Sequence, residues 1–491
     1  MVKKIKNVLL TLLLPLAALP QTASGQSLSL SDAVEISLRN NEKIKQYEEK
    51  FTQKRFQDLE AWGNFLPSVN FETSYNHLND PMNIDLGPIR DVIMTLQSKN
   101  QTEMANIYKT LQGQPLNDQQ KAGLYSQYYS QLNSVIPPFE ETFKKQDFKT
   151  ATLLAVQPLF TGGKLTAAKK FASEEKSSAL IELEKVQNEV VQEAVNNYLS
   201  VILMNNIVKT RQNVLNGIRK HKDNAEKLFN EGLIANYNLL RAQVAEAEAE
   251  RNLTDDENKL ELARISLLNT MGQDESSNFT LSDTLVYNDA PASLENYLEQ
   301  ARSNQPILKL IELKKEAASD KYTAERANFL PTVAAFGKYE MLPQYLSSLE
   351  PRWAVGLQLK FNLFNGLKDY SKLQNAVHME REVNYVEADA KRKIDLWVNK
   401  SFRDMINAKT RYEKLKTTLS LALENLRLND KRFQSGMGTS LEVIDAQLSL
   451  EKNQVESLLS LYDYYKSLTD LYVVTGEPQK ILSVWSKENK K

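Results

Sequence analysis

The 491-residue sequence contains no cysteine. That removes disulfides, thiol nucleophiles and thiolate metal sites together, and with them any lipid carried on an N-terminal cysteine after cleavage. Histidine is scarce as well: His77, His221 and His378 stand far apart and leave little for imidazole chemistry. Glycine (16) and proline (15) make 31 of 491 positions, about half of the roughly 12% of average usage. So few chain breakers imply long helices. The charges almost cancel, 61 − 62 = −1, which argues against a nucleic-acid partner held by bulk charge. There is no HExxH, no GxSxG and no glycine-rich phosphate loop, and the scattered carboxylates suit solvated helix faces. The sequence therefore predicts no catalytic residues, no cofactor and no metal, and reads as a chain that is not an enzyme.

An apolar run of membrane-helix length is also missing, so integral contact with a membrane would have to come from β-strands. The one early apolar stretch, Val8 to Leu19, follows Met1-Val-Lys-Lys-Ile-Lys and precedes Ala23-Ser24-Gly25. A basic start, a short apolar run and a small-residue cleavage site predict a signal peptide over 1–25 and an exported mature chain.

What is present is a repeat. Asn64-Phe-Leu-Pro-Ser-Val69 recurs as Asn328-Phe-Leu-Pro-Thr-Val333, an offset of 328 − 64 = 264, and Asn40 and Ile44 in the preceding helix fall on Asn304 and Leu308. Further on, Pro158-Leu-Phe-Thr-Gly162 matches Asn362-Leu-Phe-Asn-Gly366 at 204, and Phe229-Asn-Glu-Gly232 matches Phe433-Gln-Ser-Gly436 at the same offset. The change of offset, 264 − 204 = 60, marks extra residues in the first half alone. They fall in an insert over 79–146 with turn signals at Asp80-Pro81, Gly87-Pro88 and Pro137-Pro138 around helical stretches such as Ile89 to Leu111. The predicted organisation is a first repeat over 26–278 containing this insert, a linker over 279–293, a second repeat over 294–476 and a polar tail over 477–491.

Within each half a long stretch is nearly free of breakers. Leu165 to Glu231 has no proline and only Gly217, and Leu367 to Ser435 has neither residue. At about 1.5 Å per residue each could form a helix of roughly 100 Å. Apolar positions step by three and four, as in Leu183, Val186, Val190, Ala194, Tyr198 and Val201, or Leu415, Leu419, Ala422, Leu426 and Phe433. After Gly232 and Gly436 the pattern resumes, in the second half at Ile444, Leu448, Val455, Leu458, Tyr462 and Tyr465, so each glycine reads as the reversal of a helical hairpin. Between helices lie stretches of period two. Trp353, Val355, Leu357, Leu359 and Phe361 share one face, and Val69, Phe71, Thr73 and Tyr75 alternate with Asn70, Glu72, Ser74 and Asn76. Phe148 to Gln157 and Thr332 to Met341 alternate poorly. Strands of about ten residues with an apolar outer face suit a membrane barrel, and four of them cannot close one around an open lumen without further copies.

Two ordered repeats of helix, Phe-Leu-Pro, strand pair, Pro/Asn-Leu-Phe, long helix, Phe-x-x-Gly turn and returning helix resemble the TolC-like outer membrane efflux protein family over essentially the whole mature chain. The resemblance implies a mainly α protein with a membrane β-barrel. In a homotrimer, four strands per chain close a 12-stranded outer-membrane barrel continued by a periplasmic helical tunnel. It further implies the exit duct of a tripartite efflux or type I secretion system. The partners are then a periplasmic adaptor (membrane fusion protein), through it an inner-membrane transporter, and outer-membrane lipid, with no nucleic acid. Residue by residue, Gly436-Met-Gly-Thr-Ser-Leu-Glu442-Val-Ile-Asp445 is similar to the family's tip and gate segment, where two acidic residues three apart face the pore axis. Glu442 and Asp445 would then stack as rings of carboxylates favouring cations. Their alternative role is a solvated first turn favoured by the helix dipole. Gly438 stands where efflux members often place an arginine that helps hold the tip closed. The turns Gly232-Leu233-Ile234-Ala235 and Gly436-Met437-Gly438-Thr439 are expected to be adaptor-facing tips, since an apolar cluster at a hairpin end has no core to join. A competing reading, an exported soluble coiled-coil protein such as a periplasmic adaptor, does not account for repetition of the whole unit.

Overall fold

The computed structural model describes residues 26–137, 140–290, 293–347 and 349–486. The predicted signal peptide and the last five residues of the predicted tail lie outside the described residues. The first repeat runs β1 (Gln26–Leu28), α1 (Leu30–Asn40), α2 (Glu42–Gly63), β2 (Ser68–His77), β3 (Met82–Asp85), α3 (Gly87–Leu111), α4 (Asp118–Val135), β4 (Glu140–Lys144), β5 (Asp147–Phe160), α5 (Lys164–Asn230) and α6 (Asn236–Thr270). The second runs β6 (Phe279–Leu281), α7 (Leu294–Asn304), α8 (Pro306–Arg326), β7 (Thr332–Glu340), β8 (Trp353–Lys360), α9 (Lys368–Gln434) and α10 (Ser440–Val474), and α11 (Lys480–Trp485) follows. The duplication is kept to the residue: α5 and α9 are each 67 residues long, and α6 and α10 each 35. The described residues form two compact units, one made of residues 26–58, Lys170–Asp320 and 375–486, the other of Leu59–Lys169 and Lys321–Gln374.

The helical unit is built on the predicted seam. Val186, Val190, Ala194, Tyr198 and Val201 of α5 are buried, as are Leu415, Ala422 and Phe433 of α9, whereas Leu448 of α10 is exposed. Its main core gathers α5, α6, α9 and α10 around Tyr198, Leu267, Tyr464, Tyr465 and Leu468. Two segments behave differently from the sequence reading. The linker 279–293 contains β6, which pairs in parallel with β1 (Leu28 opposite Leu281), and its Asn288 and Ala290 are buried. The tail is not wholly polar chain: Ile481, Val484 and Trp485 of α11 are buried in the main core. Asp283 explains both. Its carboxylate accepts from the Leu30 amide (2.8 Å), the Tyr198 hydroxyl (2.9 Å) and the Trp485 indole (3.0 Å), so one side chain satisfies donors from three distant parts of the chain. Farther along the helices, Arg211 of α5 bonds Asp256 of α6 (2.8 Å) and Glu451 of α10, with Lys259 also on Asp256 (2.7 Å). Slipping any of these helices by a turn would leave a buried charge unpaired, so the network fixes their register.

The second unit holds an antiparallel sheet in the order β2-β5-β7-β8. The register places Phe71, Leu153, Tyr339 and Trp353 in one row and Val69, Ala155, Gly337 and Val355 in another. β5 alternates poorly because Leu154 and Val156 fall on the face opposite Leu153 and Ala155, so both faces carry apolar residues; its pairing with β7 shifts only beyond that stretch, between Pro158 and Phe160. β7 alternates poorly because Phe336 sits on the other face, against Gly356: a Cβ there would lie 3.0 Å from the ring. Between β2 and β5 the insert forms a base of β3 paired with β4, carrying α3 and α4 packed together. Arg90 at the start of α3 donates to Ile136 O (2.6 Å) and Asn133 Oδ1 (2.8 Å) at the end of α4, which satisfies terminal carbonyls and sets the pair antiparallel. Lys144 at the foot of the insert is paired with Glu350 of the β7–β8 connection at 2.7 Å.

Candidate functional site

The predicted tips lie in the helical unit and share one backbone design. At the first, Gly232 N–H donates to Phe229 O (2.9 Å) and Leu233 N–H to Leu228 O (2.8 Å); at the second, Gly436 N–H donates to Phe433 O (3.0 Å) and Met437 N–H to Arg432 O (2.9 Å). This double bond pattern closes a helix only with its pivot in the left-handed region, and Gly232 (φ +74°) and Gly436 (φ +71°) occupy it. Leu233 and Met437 follow, 67% and 71% exposed, with Ala235 exposed as well. Ile234 departs from the expected exposed cluster. It is half-buried against Ala225, Ala242, Phe433 and Val443, because the hairpin end has a small core of its own.

The second tip adds polar structure. Thr439 caps α10: its hydroxyl accepts from the Glu442 amide (3.3 Å), while the Glu442 carboxylate accepts from the Thr439 amide (2.8 Å). That backbone bond, with Arg432 nearby, draws the Glu442 carboxyl below its usual range. Arg432 lies 3.5 Å from Glu442 and reaches Met437 O at 3.4 Å. A charged clasp thus spans the turn without an arginine at 438, where a Cβ would sit 3.0 Å from Phe433 N and 3.2 Å from Arg432 C. Asp445, one turn further along α10, is exposed. The two carboxylates therefore lie on the same side of α10 in successive turns, and among the described residues Glu442, unlike Asp445, has a local partner.

One tip residue escaped the sequence reading. His221 is buried, its Nε2 2.7 Å from Ser440 Oγ and its ring 4.6 Å from that of Phe433, while Nδ1 has no partner among the described residues. The available signal was spacing: Ile218, His221 and Ala225 step by three and four, and all three are buried seam positions.

In the sheet unit, the residues expected to face lipid are exposed: Val69, Phe71 and Tyr75 on β2, and Trp353, Val355, Leu357 and Leu359 on β8. β2 and β8 are also the two edges, each with one side unpaired.

A four-stranded sheet with an apolar face, in a chain that also holds two duplicated long helical hairpins, is the element set of a channel-forming outer-membrane protein. The chain belongs to the outer membrane efflux protein family, whose model matches residues 123–273 and 297–477, one stretch in each repeat. The soluble-adaptor reading is set aside by that match. Solved structures share the fold: the outer membrane protein VceC of Vibrio cholerae (16% identity, TM-score 0.69, covering 91% of this chain and 96% of that one); the CmeC outer membrane channel of Campylobacter jejuni (13%, 0.66, 96% and 94%); and the open-state MtrE outer membrane channel of Neisseria gonorrhoeae (15%, 0.66, 91% and 89%). No curated protein sequence matches.

Proposed function

We infer that three copies join β8 of one to β2 of the next and close a 12-stranded barrel, below which their helices line a periplasmic exit duct. The observation that carries this is the sheet itself. Each unpaired edge strand would leave backbone N–H and C=O groups facing hydrocarbon, at several kcal/mol per group, and only closure removes both edges. Exposed apolar residues on α9 and α10, such as Leu421, Leu423 and Leu448, support lateral packing between copies. In this reading the protein passes substrates outward from an inner-membrane transporter and its periplasmic adaptor, within a tripartite efflux or type I secretion system. Glu442 and Asp445 form carboxylate rings at the periplasmic mouth, and Gly232, Leu233 and Ala235, with Gly436, Met437, Gly438 and Thr439, form the adaptor-facing surface. Ile234 supports the tip from beneath.

Molecular mass in mild detergent tests assembly: a trimer is expected, and a stable monomer overturns the closed barrel. Glu442→Gln with Asp445→Asn should lower cation selectivity in planar bilayers, and unchanged reversal potentials would remove the rings from the lumen. Leu233→Asp with Met437→Asp should leave the trimer intact while abolishing crosslinking to the adaptor. Retained crosslinking would move the docking surface elsewhere.

A further inference from the structure

The insert carries an apolar face that its own chain leaves uncovered. The buried side chains of α3 are Met94, Ser98 and Thr102, in steps of four along the helix on which α4 packs. Roughly 160° around α3, at about 100° per residue, Ile89, Ile93, Leu96, Met104, Ile107 and Leu111 are all exposed, Leu111 by 82%.

With Asn100 these six residues step 4-3-4-4-3-4, so the pattern repeats every 11 residues, from Ile89 through Asn100 to Leu111. Such a period, about 3.67 residues per turn, keeps a stripe almost straight along a helix, here for about 33 Å, and suits several helices packed side by side. Asn100, at the centre of the stripe, is exposed, and its side-chain amide makes no hydrogen bond among the described residues. An amide facing acyl chains would be unsatisfied, whereas in a seam between identical helices the amides meet one another and fix register. The border of the stripe points the same way. Glu103 flanks it with Lys99 one turn back on the same side, a border of mixed charge and not the basic rim of a helix lying on a membrane surface. The insert also grows directly from the end of β2, the sheet edge that another copy must complete.

We propose that the exposed face of α3 docks on the same face of the other copies, so that three α3 helices form a seam outside the membrane with the Asn100 amides at its centre. This rests on the trimer reading above, and the test separates the two. The absence of cysteine makes Asn100→Cys a unique thiol in the full chain. In detergent-solubilised protein at low concentration, mild oxidation should link two of every three chains as disulfide dimers. Ile107→Cys, on the same stripe, should give the same product if Asn100→Cys disturbs the helix. Lys109→Cys, on the far side of α3, should stay monomeric on a denaturing gel. A trimer by light scattering in which neither stripe cysteine links overturns the seam and leaves the barrel reading standing. Equal linking of Lys109→Cys would mean collision rather than docking, and overturns it too. A blue shift of an environment-sensitive label on Asn100→Cys when lipid vesicles are added, without linking, assigns the face to lipid instead. A monomeric mass fails the trimer reading first.

Discussion

The two hairpin tips descend from one repeat and keep one backbone, yet they are held together differently. Phe229 and Phe433 occupy matched positions at an offset of 433 − 229 = 204, but Phe229 is 37% exposed and Phe433 2%. The first tip starts α6 at Ala235, which makes no side-chain cap, and the second starts α10 at Thr439 with a complete capping box and the Arg432–Glu442 pair. Burial explains the asymmetry. Phe433 fills the small core under the tips together with Ala225, Ala242 and Val443, and a single such core has room for one of the two rings. Duplication fixed the turn, and packing then gave one tip the anchor and left the other's aromatic toward solvent.

The largest break in this comparison should come from the aromatic pair. Phe433→Ala removes a buried ring and its contact with His221, and is expected to cost about 3 kcal/mol of local stability, whereas Phe229→Ala should cost under about 1. Hydrogen exchange of the tip amides reads both, and equal losses would mean that the tips share one core evenly. Next come the pivots. Gly232→Ala and Gly436→Ala force a Cβ into the left-handed region at nearly the same φ and should each cost roughly 1–2 kcal/mol. A clear inequality between them would show that the turns are not energetically alike.

The caps offer a way to exchange the two characters. Thr439→Ala should destabilise the second tip by about 1 kcal/mol, and Ala235→Ser should strengthen the first by about 0.5–1, since Ala235 already has the extended backbone of a cap (φ −78°, ψ 152°). No gain from the serine would assign the difference to packing alone. The smallest effect is a slope with pH. Burial draws the His221 pKa below 6.5, with Asp430 pulling the other way. Below pH 6.5 the opened tip therefore binds a proton that the closed tip refuses. Its stability is full above that pH and declines as pH falls through the folded-state value. His221→Gln should flatten the decline in tip stability read by exchange, and an unchanged slope would assign it to the Glu424 carboxylate, which lines the same groove as Lys220, Arg427 and Asp430.

Periodicity and repetition determined most of this protein. A 67-residue stretch without proline can form one continuous helix, a glycine after Phe-x-x marks where it must turn, and alternation of Trp353 to Leu359 identifies a two-faced strand. Each of these is a local statement that the backbone enforces residue by residue. Local pattern also exposed the duplication, because two matched ladders of landmarks need no fold to be seen. What the tertiary structure decided are the places where distant segments compete for one position. The polar neighbours of α11 hid its Ile481, Val484 and Trp485, which count as core only because Asp283 and Tyr198 lie beside them. Ile234 reads as a tip residue until Phe433 is beneath it, and His221 reads as a stray imidazole until Ser440 faces it across two helices. Glu442 and Asp445 are three apart in any sequence frame, but the capping bond to Thr439 and the nearness of Arg432, which distinguish one from the other, exist only once the turn at Gly436 folds the chain back. Burial and hydrogen-bond partnership belong to pairs of surfaces, and a single strand of sequence specifies only one surface of each pair.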